Sequence, residues 1–171
     1  MCVRKPIRKP RDPPTVHVIG KLYALIIGKT LLSRYDDPGN PTVTVQIGHT
    51  QIPNVLVYLG AAINVIIIET VRKLGLTNIR PTPTILELAD RSTIKPEGIL
   101  DDLVISVDSW ECPANFLVLQ PKSQLGGHPL ILGRPWLATA DACISCRSRS
   151  MTISNGTETK NLTLYLKPLF G

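Results

Sequence analysis

No run of about 20 apolar residues, the length a membrane-crossing helix needs, occurs in this 171-residue chain. The greasiest stretch, residues 18–32, is shorter and is interrupted by Lys21 and Lys29. The N-terminus is basic and proline-rich with no adjoining apolar run, so a secretory leader is not expected. Aromatic residues are scarce at 5%, which leaves few platforms on which nucleobases could stack. No apolar period of helical type persists beyond about two or three turns, so short strands joined by turns are the better expectation. Cys143 and Cys146 form a C-x-x-C, but no second Cys or His pair lies nearby. Their segment reads as a strand, where residues three apart point to opposite faces, so the sulfurs would not converge on one ion. Free or structural thiols in a reducing compartment are expected, with no metal and no cofactor.

What is present fits short strands joined by turns. Hydrophobic residues make up 43% of the chain, enough for one compact core, and fifteen prolines and twelve glycines punctuate it. The net charge of +6 is unevenly placed. Arg4, Lys5, Arg8, Lys9 and Arg11 stand among the first eleven residues with no acid. Without these five, the nineteen basic residues fall to fourteen against thirteen acidic ones. The remainder is nearly neutral and has no character of a nucleic-acid-binding domain. Residues 1–11 are able to make loose, non-specific contact with polyanions.

Residues 1–15 read as a disordered arm, and residues 16–35 as a strand or a helix with no decision between them. The turn Asp36-Asp37-Pro38-Gly39-Asn40-Pro41 opens the compact domain, predicted over 36–155. Thr42-Val43-Thr44-Val45-Gln46-Ile47 alternates and is β-branched; after a Gly48-His49 turn, residues 51–57 complete a hairpin. A short helix ends at Gly75. Strands follow at 84–89, 94–107, 111–119 and 129–132, then a helix over 135–142 with Pro135 in its first turn. Strands near 142–147 and 150–154 close the unit, and residues 156–171 supply an edge strand or tail. The class is a small, mostly-β barrel or sandwich with one or two short helices.

Two segments share an unusual shape, an apolar strand running straight into a glycine turn. One is Val55-Leu56-Val57-Tyr58-Leu59-Gly60-Ala61-Ala62-Ile63-Asn64; the other is Pro129-Leu130-Ile131-Leu132-Gly133-Arg134-Pro135-Trp136-Leu137-Ala138-Thr139. Together with Asp37-Pro38-Gly39, Lys73-Leu74-Gly75-Leu76 and Leu86-Glu87-Leu88-Ala89-Asp90-Arg91-Ser92, they resemble the retropepsin domain of plant-type gypsy LTR-retrotransposon polyproteins. The likeness runs in order over about residues 36–155. It implies a closed β barrel acting as a homodimer, an aspartic endopeptidase that cuts a gag–pol polyprotein segment lying in its cleft. It also implies an intracellular setting, in the cytoplasm or in virus-like particles.

In that family each chain brings one aspartate to the two-fold axis. Two carboxylates that close share a proton, so one activates water while the other polarises the scissile carbonyl. By resemblance Tyr58, Leu59, Gly60 and Ala61 form the catalytic loop, with Tyr58 where the aspartate belongs. Leu132, Gly133 and Arg134 support that loop, and Leu88, Ala89, Asp90, Arg91 and Ser92 form the flap over the peptide. A phenol titrates near pH 10 and offers no general base at neutral pH. Ala62 stands where the family carries a hydroxyl. The chain is therefore expected to be inactive, as a decayed copy or as a retained module that dimerises or binds peptide. The remaining alternative is an active protease using another aspartate, but Asp37, Asp90 and Asp108 each lack the strand before or the Gly-Ala after.

Overall fold

A computed structural model describes residues 32–120 and 127–167, so the expected arm over 1–15 and most of the undecided segment 16–35 lie outside the described residues. The compact unit that carries the barrel begins at Asp36. Strand β1 (Asn40–Ile47) and strand β2 (Thr50–Val57) form the expected hairpin, turning at Gly48 and His49. Gly48 has φ +62°, a left-handed conformation that costs glycine nothing. Their alternation sends Val43, Val45, Ile47, Ile52, Val55 and Val57 inward.

After β2 come β3 (Asn64–Ile67) and the helix α1 (Ile68–Lys73). The helix stops because Gly75 takes φ +68°. The Gly75 N–H then bonds the Arg72 carbonyl at 3.0 Å and the Leu76 N–H the Val71 carbonyl at 3.1 Å. This pair of bonds satisfies carbonyls that the helix end would otherwise leave open. Two-residue strands β4 (Leu86–Glu87) and β5 (Thr93–Ile94) form a small separate hairpin. Long strands β6 (Gly98–Val107) and β7 (Trp110–Leu119) follow. Then come β8 (Leu130–Leu132), helix α2 (Arg134–Thr139), β9 (Cys143–Ser145), β10 (Ser150–Ser154), β11 (Thr159–Thr163) and β12 (Tyr165–Lys167).

Six strands close into a barrel in the order β1-β2-β8-β3-β7-β6, and the pairing of Gln46 with Ser106 returns β6 to β1. Strand β12 adds to the first part of β1, where the Thr42 hydroxyl donates to the Tyr165 carbonyl at 2.6 Å. A three-stranded sheet, β9-β10-β11, sends Met151 and Ile153 into the same core as Trp136 and Leu137 of α2. Full burial of side chains such as Phe116, Ile66 and Leu130 stabilises the barrel by about 1.5–3 kcal/mol each.

Several boundaries differ from the sequence reading. The strand expected over 84–89 shrinks to Leu86–Glu87, and the one over 94–107 breaks at Lys95-Pro96-Glu97, where proline has no N–H for a ladder. The second helix ends at Thr139 rather than reaching Ala142. Asp141 adopts φ +46°, and the Ala142 N–H turns back to the Leu137 carbonyl at 2.9 Å. That is the same stop as in α1, with Asp in the place of glycine.

Candidate active site and its supporting turns

The two strand-to-glycine segments meet in space. Strand β8 lies between β2, to which it is parallel, and β3, to which it is antiparallel. All three of its residues are buried, which explains an apolar run without alternation. Leu56 stands opposite Ile131 and Val57 opposite Leu132, so β2 and β8 leave the sheet at the same level. There the Tyr58 N–H bonds the Leu132 carbonyl at 2.9 Å, fixing the first residue of the loop to the second turn.

The loop is tight. The Ala61 N–H approaches the Tyr58 carbonyl at 3.3 Å, and the Arg134 N–H bonds the Ala61 carbonyl at 2.9 Å. Gly133 has no room for a side chain. A Cβ there would lie 2.8 Å from the Ala61 carbonyl oxygen and would strike that of Ile63. At Gly60 the added carbon would sit 2.5–2.7 Å from Cζ, Oη and Cε2 of Tyr58, so the phenol ring folds back across the glycine. Tyr58 is 51% exposed and Leu59 69% exposed. The loop tip thus presents two large side chains outward.

One residue that sequence reasoning gave no role holds this arrangement. Asn64, only 2% exposed, accepts the buried Gly133 N–H on Oδ1 at 2.8 Å. Its Nδ2 donates to the Asn115 carbonyl at 3.2 Å. The available signal was a lone amide inside the apolar run Ile63-Asn64-Val65-Ile66, since a buried amide demands partners.

The β4–β5 hairpin carries residues 88–92 at its tip. The Leu88 N–H bonds the Ser92 carbonyl at 2.8 Å, the Arg91 N–H the Leu88 carbonyl at 2.9 Å, and Arg91 takes φ +65°. Asp90 accepts the Ser92 hydroxyl at 2.5 Å and the Ser92 N–H at 2.9 Å. These bonds hold its carboxyl below the usual carboxylate range. At the base of the hairpin, Leu86 and Ile94 join Leu56, Ala61 and Ile63 in a small cluster around Val65, Leu119 and Ile131. The hairpin and the Tyr58 loop therefore share one apolar floor, separate from the main core.

The three aspartates weighed as substitutes are engaged elsewhere. Asp37 accepts the Gly39 N–H at 2.8 Å in its own turn, Asp90 closes the hairpin tip, and Asp108 pairs with Lys160 at 3.1 Å. Cys112, Cys143 and Cys146 are free thiols; Cys143 lies on β9 and Cys146 in the turn after it, both exposed. Among the described residues, no helix is long and apolar enough to cross a membrane.

No known family's sequence model matches the chain, and no curated protein does. Solved structures do resemble it. The crystal structure of the retroviral protease-like domain of Ddi1 from Leishmania major superposes with a TM-score of 0.56 at 16% identity, over 78% of this chain and 94% of that one. The closed six-stranded barrel, with β8 set between β2 and β3 and two short helices, is a retropepsin-like fold.

Proposed function

We propose that this chain is an aspartic-protease-like domain of a gypsy-type LTR-retrotransposon polyprotein that keeps the retropepsin scaffold but no longer hydrolyses peptides. The observation that carries this reading is the position of Tyr58. It is the first residue after β2, bonded through its N–H to the Leu132 carbonyl, with its ring over Gly60. In the family's mechanism that residue supplies the carboxylate that activates water. Loss of a general base alone lowers rate by about 10²–10⁴. In a homodimer both members of the dyad are replaced together, and no shared proton remains to polarise the carbonyl.

The domain's ancestral activity is endopeptidase processing of a gag–pol product by a homodimer inside the cell, with the 88–92 hairpin closing over the peptide. The reverting substitution Tyr58→Asp tests this. Because the ring is half exposed, the change should leave stability within about 1 kcal/mol. The wild-type chain should cleave no family-type peptide at acid or neutral pH, whereas Tyr58→Asp should gain pepstatin-sensitive cleavage. Cleavage by the wild type, or a folded and dimeric Tyr58→Asp that cuts nothing, would refute the assignment.

A second reading is a retained module that binds peptide or dimerises without cutting. The outward Tyr58 and Leu59 favour it, since an exposed apolar tip suits contact with another chain. Sedimentation of the wild type against a Leu59→Lys variant tests the dimerising form of this reading: a dimer that Leu59→Lys dissociates supports it, and a monomer at all concentrations removes that form. Loose contact of residues 1–11 with polyanions is a further proposal, to be judged by deleting them and measuring RNA binding against salt.

A further inference from the structure

We propose that the cavity between the start of β3, the β6 bulge, β7 and α2 is a binding site for the basic side chain of a peptide. The cavity holds about 440 Å³, within the range of small-ligand sites. Its walls are largely apolar, with Ile63, Ile99 and Pro113 among them, and Asp102 is the one charged residue lining it.

Four other aspartates are occupied: Asp37 and Asp90 cap turns, Asp101 pairs with Arg80 at 2.7 Å and Asp108 with Lys160. Asp36, Asp102 and Asp141 have no side-chain hydrogen bond or ion pair among the described residues, and of these three only Asp102 lines the cavity, on a firmly held backbone. The register of β6 against β7 shifts between Leu100 and Leu103, which leaves Asp101 and Asp102 in a bulge. Asp102 takes φ +50° there, and its N–H is bound by Asn115 Oδ1 at 2.9 Å. Asn115 itself lines the cavity.

An uncompensated negative charge at the edge of an apolar pocket selects a ligand with an apolar stem and a cationic end. Lys and Arg side chains have that construction, burying methylenes while the charged head stays at the rim. A neutral apolar ligand would leave the carboxylate unpaired, and an anion would be repelled. Ile63 belongs both to this cavity and to the apolar floor under the β4–β5 hairpin. The site nevertheless stands on Asp102 and its walls, and it does not depend on whether the Tyr58 loop hydrolyses anything.

The test uses the full chain labelled with ¹⁵N and three capped amino-acid probes: N-acetyl-arginine amide, N-acetyl-lysine amide and the neutral isostere N-acetyl-citrulline amide. Either cationic probe should shift the Asp102 and Asn115 amides saturably. The citrulline probe should bind about two- to fivefold more weakly than the arginine probe, the range of a solvent-exposed ion pair. Asp102→Asn should reduce arginine-probe binding to the citrulline level and leave citrulline binding unchanged. Asparagine tolerates the left-handed backbone and retains the N–H bond to Asn115. Absence of saturable shifts at these amides, equal binding of arginine and citrulline probes by the wild type, or an unaltered Asp102→Asn would each overturn the proposal. The wild-type comparison decides the matter even if the variant folds poorly.

Discussion

Replacing Asn64 with alanine removes the side chain that, among the described residues, ties the two glycine turns together. Gly133 N–H is buried and its acceptor is Asn64 Oδ1 at 2.8 Å. An orphaned buried donor costs about 1–3 kcal/mol, and loss of the 3.2 Å bond to the Asn115 carbonyl adds about 1 kcal/mol. Asn64→Ala should therefore destabilise the fold by about 2–4 kcal/mol in urea unfolding, and the Gly133 amide should exchange with solvent faster. Asn64→Asp refines the test. One oxygen still accepts from Gly133, but the other faces the Asn115 carbonyl and can bond it only when protonated. The variant's carboxyl should titrate above the ordinary value of about 3.9. A folded-state pKa raised in this way contributes stability that is complete below the unfolded pKa and lost as pH rises through the folded one. The deficit of Asn64→Asp relative to wild type should thus be small in acid and grow toward neutrality. If Asn64→Ala costs less than about 0.5 kcal/mol and Gly133 exchange is unchanged, the clamp is not what holds the turns.

Gly133→Ala should cost about 1–3 kcal/mol, because its Cβ meets the carbonyl oxygens of Ala61 and Ile63, backbone atoms that cannot rotate aside; thermal unfolding measures it. Arg80 holds the Asp101 carboxyl below its ordinary value, mainly through the hydrogen bond between them. Its contribution is present above the unfolded pKa and fades as pH falls through the folded one, so Asp101→Asn should flatten the acid limb of a Tm–pH profile slightly. A variant as acid-sensitive as wild type would remove that pair from the account. Burial pushes the Cys112 thiol up, whereas Cys143 and Cys146 are exposed. Iodoacetamide at pH 8 with peptide mapping should label the latter two first; equal rates would contradict the burial of Cys112.

Local chemistry in the sequence was enough to place the β1–β2 hairpin, the stop of α1 at Gly75 and the pairing of an apolar strand with a glycine turn at Tyr58 and again at Gly133. Each depends on neighbours a few residues away: alternation, a left-handed glycine, a proline in a first turn. The resemblance carried the closed barrel as well, and with it the expectation that Tyr58 stands where the family has an acid. Only the tertiary structure decided that β8 enters between β2 and β3, because an apolar triplet announces burial without naming its neighbours. It also decided that Asn64 reaches Gly133 across 69 positions, and that a bulge leaves Asp102 unpaired beside a cavity while Asp101 finds Arg80. The C-terminal residues were divided the same way, β11 joining β10 and β12 joining β1. Hydrogen-bond partners and charge pairs between distant segments follow from how the barrel closes, and closure is a property of all six strands together.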